Sequence, residues 1–220
     1  MTKTRGQKPA KVDCKKLLKE LYMPPIKEPT IVDVPEMNFI MIDGIIRPGE
    51  KVDESTDFMD AMQTLYGLVY TLKFMLKGKS GIPDSIIMPL EGLWWFDSKK
   101  GDGTDFEMGR RDIPWYFTAM IMQPEHIKYE HFLEARDQLK TKKDPPGLLK
   151  ARFESWEEGR SVQIMHLGPY SEEMPAIEKM HKYAIDKGYK LHGKHHEIYM
   201  GDPRRTKPER LKTILRHPIE

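Results

Sequence analysis

The stretch Lys194-His195-His196-Glu197-Ile198-Tyr199-Met200, followed by Gly201-Asp202-Pro203-Arg204-Arg205, gathers imidazoles, a carboxylate and a phenol within a few residues. As a strand, it sends His195, Glu197 and Tyr199 to one face and His196, Ile198 and Met200 to the other. A carboxylate beside Tyr199 and facing Trp94 or Trp95 would sit against apolar walls. Desolvation there raises its pKa toward a range useful for general acid or base work, or leaves it as an anionic anchor for cationic ligands. On a solvent-facing strand Glu197 would instead be an ordinary surface acid.

Metal binding is the rival chemistry for His192, His195, His196 and Glu197, with His166 as a further ligand. Alternation separates His195 from His196, and His192 lies across Gly193, so these groups do not converge and no metal is expected. Neither Cys14 nor any serine shows a paired base. The glycines at Gly101, Gly103 and Gly109 lack the lysine spacing of a phosphate loop.

These residues need elements to position them. The chain has 220 residues, 39% hydrophobic and 32% charged, enough for one large domain or two halves sharing a core. Its 36 Lys plus Arg against 34 Asp plus Glu give a net charge of +2, which argues against a general nucleic-acid binder. The basic clusters Lys3 to Lys19 and Arg204 to Arg216 are interleaved with other residues and read as solvated faces. The single cysteine, Cys14, permits no intrachain disulfide and fits a reducing, cytoplasmic setting. No apolar run approaches the roughly 18 residues of a membrane helix, and no signal-peptide core is seen, so no membrane association is expected. Fifteen methionines and 10% aromatics suit either adaptable ligand walls or ordinary core filling.

Residues 1–35 alternate lysines with prolines and read as an irregular arm with one short helix near Cys14 to Leu21. Met37 to Ile46 reads as a doubly buried strand. Ser55 caps a helix whose stripe is Phe58, Met59, Met62, Leu65, Tyr66, Val69, Tyr70, Leu72 and Leu76; Asp57 suits its start and Gly78 closes it. Ser85 to Phe96 is a strand interrupted by Pro89 and Gly92, Lys99 to Asp112 a loop, and Trp115 to Gln123 a strand. A charged helix spans residues 125–143, and Asp144-Pro145-Pro146-Gly147 stops it.

Strands follow at Arg152 to Glu157 and Ser161 to Leu167. A helix capped by Ser171 comes next, with Glu172 and Glu173 in its first turn; then the His195 strand and a last one at Lys212 to Pro218. Strand, helix, strand, strand therefore occurs twice, in pseudo-repeats 36–124 and 151–220. A duplicated unit that packs on its twin leaves a groove at the pseudo-twofold. Leu90-Glu91-Gly92-Leu93-Trp94-Trp95-Phe96-Asp97 and His196-Glu197-Ile198-Tyr199-Met200-Gly201-Asp202 echo one another, each running from an acid to an Asp.

Met88-Pro89-Leu90-Glu91-Gly92-Leu93-Trp94-Trp95, Met165-His166-Leu167-Gly168-Pro169-Tyr170 and above all His195 to Tyr199 with Gly201 to Thr206 resemble the stand-alone GyrI-like small-molecule-binding proteins, from about Met37 to the C-terminus. The resemblance implies an α+β fold with a curved antiparallel sheet, helices on one side and a central ligand groove, preceded by the arm. Some members are similar to enzymes that hydrolyse cyclopropane rings in DNA-alkylating compounds; related domains serve transcription regulators, but residues 1–35 are too short and Pro-broken for a helix-turn-helix. It makes Glu197 and Tyr170 the catalytic pair, with Trp94, Trp95, Glu91, Tyr116, Met120, His166, Glu173 and Tyr199 lining the groove.

Glu197 would take a proton from water aimed at the ring methylene, and Tyr170 would donate to the carbonyl that gains charge. Glu91 and Glu173 are second candidates for the base, although the helix dipole explains Glu173 equally, and Tyr170 can also be a packing residue before its helix. The expected partners are planar aromatic or hydrophobic small molecules, with no cofactor, no nucleic acid and a monomer or weak homodimer. A pocket that sequesters such compounds without chemistry is the alternative.

Overall fold

The structure is a computed structural model that describes residues 11–96 and 112–220. The loop expected from Lys99 to Asp112 therefore lies outside the described residues except at its end. Eight strands form one sheet: β1 (Thr30–Val34), β2 (Met37–Ile46), β3 (Leu90–Phe96), β4 (Trp115–Gln123), β5 (Arg152–Trp156), β6 (Gly159–Leu167), β7 (His195–Tyr199) and β8 (Lys212–Pro218). The helices are two single turns, α1 (Cys14–Leu17) and α2 (Lys19–Tyr22), and three longer ones, α3 (Thr56–Leu76), α4 (Tyr129–Lys142) and α5 (Met174–Asp186). The fold is α+β, as expected. Among the described residues no helix is long and apolar enough to cross a membrane.

The sheet order is β1-β6-β8-β7-β3-β4-β2-β5, every pair antiparallel. The two strand-helix-strand-strand units occupy β3-β4-β2 and β7-β8-β6, so a pseudo-twofold passes between β3 and β7. Each edge strand is exchanged between units: β1, which leads into β2, pairs with β6, while β5, which leads into β6, pairs with β2. Residues 30–34, expected to be irregular, thus complete the sheet.

That exchange dictates the curvature. In a flat sheet β1 and β2 would lie six strand spacings apart, about 29 Å at ~4.8 Å each. The connection from Val34 to Met37, like that from Trp156 to Gly159, can span at most about 11 Å. The sheet must curl until its ends approach, and Trp156 on β5 accordingly meets the ring of His196 on β7 at 6.0 Å across its interior. The inside of the curl is closed by α2, whose Tyr22 is fully buried.

Both long unit helices pack on the outer face. Ser55 occupies the N-cap of α3 in extended backbone, Asp57 lies in its first turn, and Gly78 follows the helix at φ 81°. Phe58 stacks on Trp94 at 5.9 Å and meets Phe117 edge-on at 5.3 Å. The buried side of α3 is Ala61, Leu65, Leu68, Val69, Leu72 and Leu76, whereas Met59, Tyr66 and Tyr70 are exposed. The single stripe expected from the sequence is really two: at 100° per residue, Met59, Tyr66 and Tyr70 fall opposite Leu65, Leu68 and Leu72. Helix α5 lays Ile177, Met180 and Ala184 on Val162, Ile164 and Leu215. It begins at Met174, two residues later than Ser171 capping requires; Tyr170–Glu172 form a 3₁₀ turn and Glu173 takes the N-cap position without capping.

Candidate functional site

The β3–β7 register sets Gly92 opposite Glu197, Trp94 opposite His195 and Leu90 opposite Tyr199. On the other side, β8 sets Leu215 opposite Glu197 and Thr213 opposite Tyr199. Paired residues share a face, so Trp94, His195, Glu197, Tyr199 and Thr213 all lie on the outer face between α3 and α5. A chain of polar contacts runs along this floor. Trp94 Nε1 donates to Tyr199 Oη at 3.0 Å, and Tyr199 donates to Glu197 Oε2 at 2.7 Å. The other carboxylate oxygen of Glu197 lies 3.3 Å from His195 Nε2. Gly92 makes room for the chain: a Cβ there would lie 2.8 Å from Trp94 Nε1 and 3.3 Å from Tyr199 Oη.

A second acid faces the first. Glu173, at the start of α5, is fully buried, and burial together with the charge of Glu197 pushes its carboxyl up to about 9, with the Thr213 hydroxyl offsetting part of the rise. At neutral pH Glu173 therefore carries a proton. Tyr170 packs edge-on against Tyr199 at 5.5 Å; burial and then the charges of Glu173 and Glu197 push its phenol up to about 12. Burial and the charge of Glu197 hold Tyr199 well above the ordinary range too. Tyr66 of α3 and Asp202 also act electrostatically on Tyr170, raising it further. Glu197 itself is 7% exposed.

Strand alternation divides the remaining expected residues. Trp95 is on the opposite face from Trp94, where it stacks on Tyr116 at 5.9 Å beneath Lys194, whose Nζ lies 3.5 Å from the ring centre. Glu91 and its register partner Met120 are also on that inner face. The expected joint wall of Trp94 and Trp95 is therefore corrected, because adjacent residues of a regular strand cannot share a face. The echo between Glu91 and Glu197 fails for the same reason: a twofold that keeps both helices on the outer face cannot exchange residues of opposite faces. His166 lies on the outer face, paired with Thr213, but its Nε2 contacts the Pro169 carbonyl at 3.1 Å and supports the turn before Tyr170.

The inner face holds a different network. His196 places Nδ1 3.0 Å from both oxygens of Glu158 and Nε2 3.1 Å from Glu91 Oε2. Arg216 donates to Glu158 at 3.1 Å, to Gln163 at 3.0 and 2.9 Å, and to the Leu21 carbonyl at 2.7 Å. Tyr22 donates to Glu91 at 2.8 Å. Burial opposes ionisation of Glu158 and His196, but the opposite charges outweigh it: Glu158 is held below the usual carboxylate range and His196 above the usual imidazole range.

A third cluster was not anticipated. His181 of α5, His195 and His217 of β8 each turn a nitrogen toward the others, all within 4.8 Å. Neither His192 nor His196 belongs to it. Burial, with the neighbouring histidines, holds His181 at about 4 and His217 well below the ordinary imidazole range.

Two strand-helix-strand-strand units share one curled sheet, with Glu197 and Glu173 between their helices. The chain belongs to the GyrI-like small-molecule-binding domain family, which matches residues 114–220. An uncharacterised conserved protein of Listeria innocua is 36% identical with a TM-score of 0.83. A hydrolase of the same organism is 34% identical with a TM-score of 0.79, and another structure of a Listeria innocua hydrolase is 35% identical at 0.80. Each likeness covers 96% of this chain and 100% of the other. No curated protein sequence matches this chain.

Proposed function

We propose that this protein hydrolyses hydrophobic, planar electrophiles carrying a strained cyclopropane ring, in the cytoplasm, with Glu197 as base and Glu173 as acid. What carries the reading is the pair of buried acids between the helices: burial and the charge of Glu197 push the Glu173 carboxyl up to about 9, while Tyr199, supported by Trp94, donates to Glu197. Two carboxyl groups driven into different protonation states supply an acid and a base together. The hydrolases at 34 and 35% identity support catalysis over binding alone.

In the proposed step Glu197 accepts a proton from water as its oxygen bonds to the ring methylene. The ring C–C bond breaks, its electron pair moves into the conjugated carbonyl, and Glu173 protonates the carbonyl oxygen. Water is added overall, and proton transfer from Glu197 to Glu173 restores the pair. Trp94, Phe58, Tyr170 and Tyr199 furnish aromatic walls for a flat ligand. Since Glu197 is nearly covered, a ligand reaches it by displacing side chains along the groove.

Mass-spectrometric product analysis with a cyclopropane-bearing alkylating compound tests this. The expected result is a ring-opened, water-added product in more than stoichiometric amount, lost in Glu197→Gln while binding persists. Unchanged compound recovered in one-to-one complex with the protein would instead make this a sequestering protein with Glu197 as its anchor.

A further inference from the structure

We propose that His181, His195 and His217 form a binding site for a zinc-class divalent transition-metal ion, directly behind the Glu197 carboxylate. The three ligands come from α5, β7 and β8, elements fixed by the core, so the site does not depend on a loop. His195 lies one position from the His196–Arg216 pair, which puts it beside His217 on the outer face, ring centres 6.2 Å apart. The rings of His181 and His217 meet edge to face, 87° and 4.8 Å between centres, and one nitrogen of each of the three histidines lies within 4.8 Å of the others. His195 and His217 are completely buried.

Such burial is hard to explain as core filling. His181 Nε2 and both nitrogens of His217 are buried without a hydrogen-bond partner among the described residues, beside the apolar cluster of Ile177, Met180 and Leu215. An aliphatic side chain would fill that space without stranding polar atoms. Imidazole suits zinc, cobalt, nickel and copper rather than magnesium or calcium. Three nitrogens leave a tetrahedral ion one open position, the pattern of reactive rather than closed structural sites. At ~2.0–2.1 Å from each nitrogen, an ion would draw the three to about 3.4 Å from one another, so the rings close by roughly 1 Å or more from the 4.8 Å limit. Glu197, 3.3 Å from His195 Nε2, then serves as the carboxylate that orients a ligating histidine.

The site shares Glu197 with the ring-opening reading but is tested without it. Chelator-treated full-length protein is titrated with cobalt(II), followed by visible absorption, and with zinc, followed by calorimetry and thermal melting. We expect one ion per chain, the absorption bands of tetrahedral cobalt and a raised melting temperature with zinc. His181→Gln, at the half-buried position on α5, should abolish the cobalt bands even if His217→Gln fails to fold. Glu197→Gln should weaken zinc binding about 10- to 100-fold, and His126→Gln, outside the cluster, should leave it unchanged. Absence of saturable binding, or binding that survives His181→Gln, overturns the proposal.

Discussion

Strands β3 and β7 carry buried carboxylates on both faces, and the two faces treat them in opposite ways. Inside the curl, Glu91 and Glu158 meet His196 and Arg216, and Gln163, Tyr22 and the Leu21 carbonyl take up further hydrogen-bonding capacity. Outside, Glu197 and Glu173 lie together with no Lys or Arg contact among the described residues, and burial with the charge of Glu197 pushes Glu173 up to about 9. Charge compensation holds the first cluster as structure, whereas in the proposed reading the second supplies the reacting acid and base.

Equivalent substitutions on the two faces should therefore separate stability from turnover. Glu158→Gln removes one partner of a buried ion pair and should cost about 3–5 kcal/mol in denaturant unfolding, with turnover per folded molecule unchanged. Glu197→Gln should melt near the parent protein and lose about 10²- to 10⁴-fold in turnover. If both variants lose mainly stability, the outer cluster is structural too and the contrast collapses.

The pH dependence of stability sharpens the same contrast. Glu173 titrates near 4.5 when unfolded and at about 9 when folded, so the folded state holds the extra proton across that window. Stability contributed by the protonated acid is full below about pH 4.5 and is lost progressively as pH rises toward 9. Glu173→Gln removes this slope, and its unfolding free energy relative to the parent should climb through the window, reaching a gain on the order of a few kcal/mol at the alkaline end. Glu158 has the opposite sign: its folded pKa is depressed, so its contribution is present at neutral pH and lost only on acidification.

Much of the outer floor was legible from alternation alone. The period of two placed His195, Glu197 and Tyr199 together on one face. Applied equally to Trp94-Trp95, that rule would have rejected the joint wall. Glu173 was obscured because an acid near a helix start has a sufficient local explanation, whereas its burial depends on how α5 meets β8. Glu158 and Arg216 carried no local signal: one sits in a turn, the other in a charged terminal strand, and only the edge-strand exchange brings them under α2. The His181–His195–His217 cluster is invisible for a like reason, since its members come from three separate elements.

Gly92 tests how tightly the outer floor is assembled. Alanine there places its Cβ 2.8 Å from Trp94 Nε1 and must displace the indole that supports Tyr199. Gly92→Ala is expected to cost ~1–3 kcal/mol in stability and roughly 10- to 100-fold in turnover, through misplacement rather than loss of a reacting group. An unchanged rate would mean that Glu197 works without the Trp94–Tyr199 support.

The smallest effect is expected at Tyr170. With its phenol pushed up to about 12, Tyr170 is a weaker acid than Glu173 at about 9, and the better donor to a developing oxyanion is the group whose pKa lies closer to the working pH. Tyr170 retains an aromatic contact with Tyr199 that phenylalanine reproduces. Tyr170→Phe should consequently lower turnover less than about tenfold, while Glu173→Gln lowers it by ~10²-fold or more. Reversal of that order in single-turnover measurements would assign the acid to Tyr170 and return Glu173 to a structural carboxyl whose proton only relieves its repulsion with Glu197.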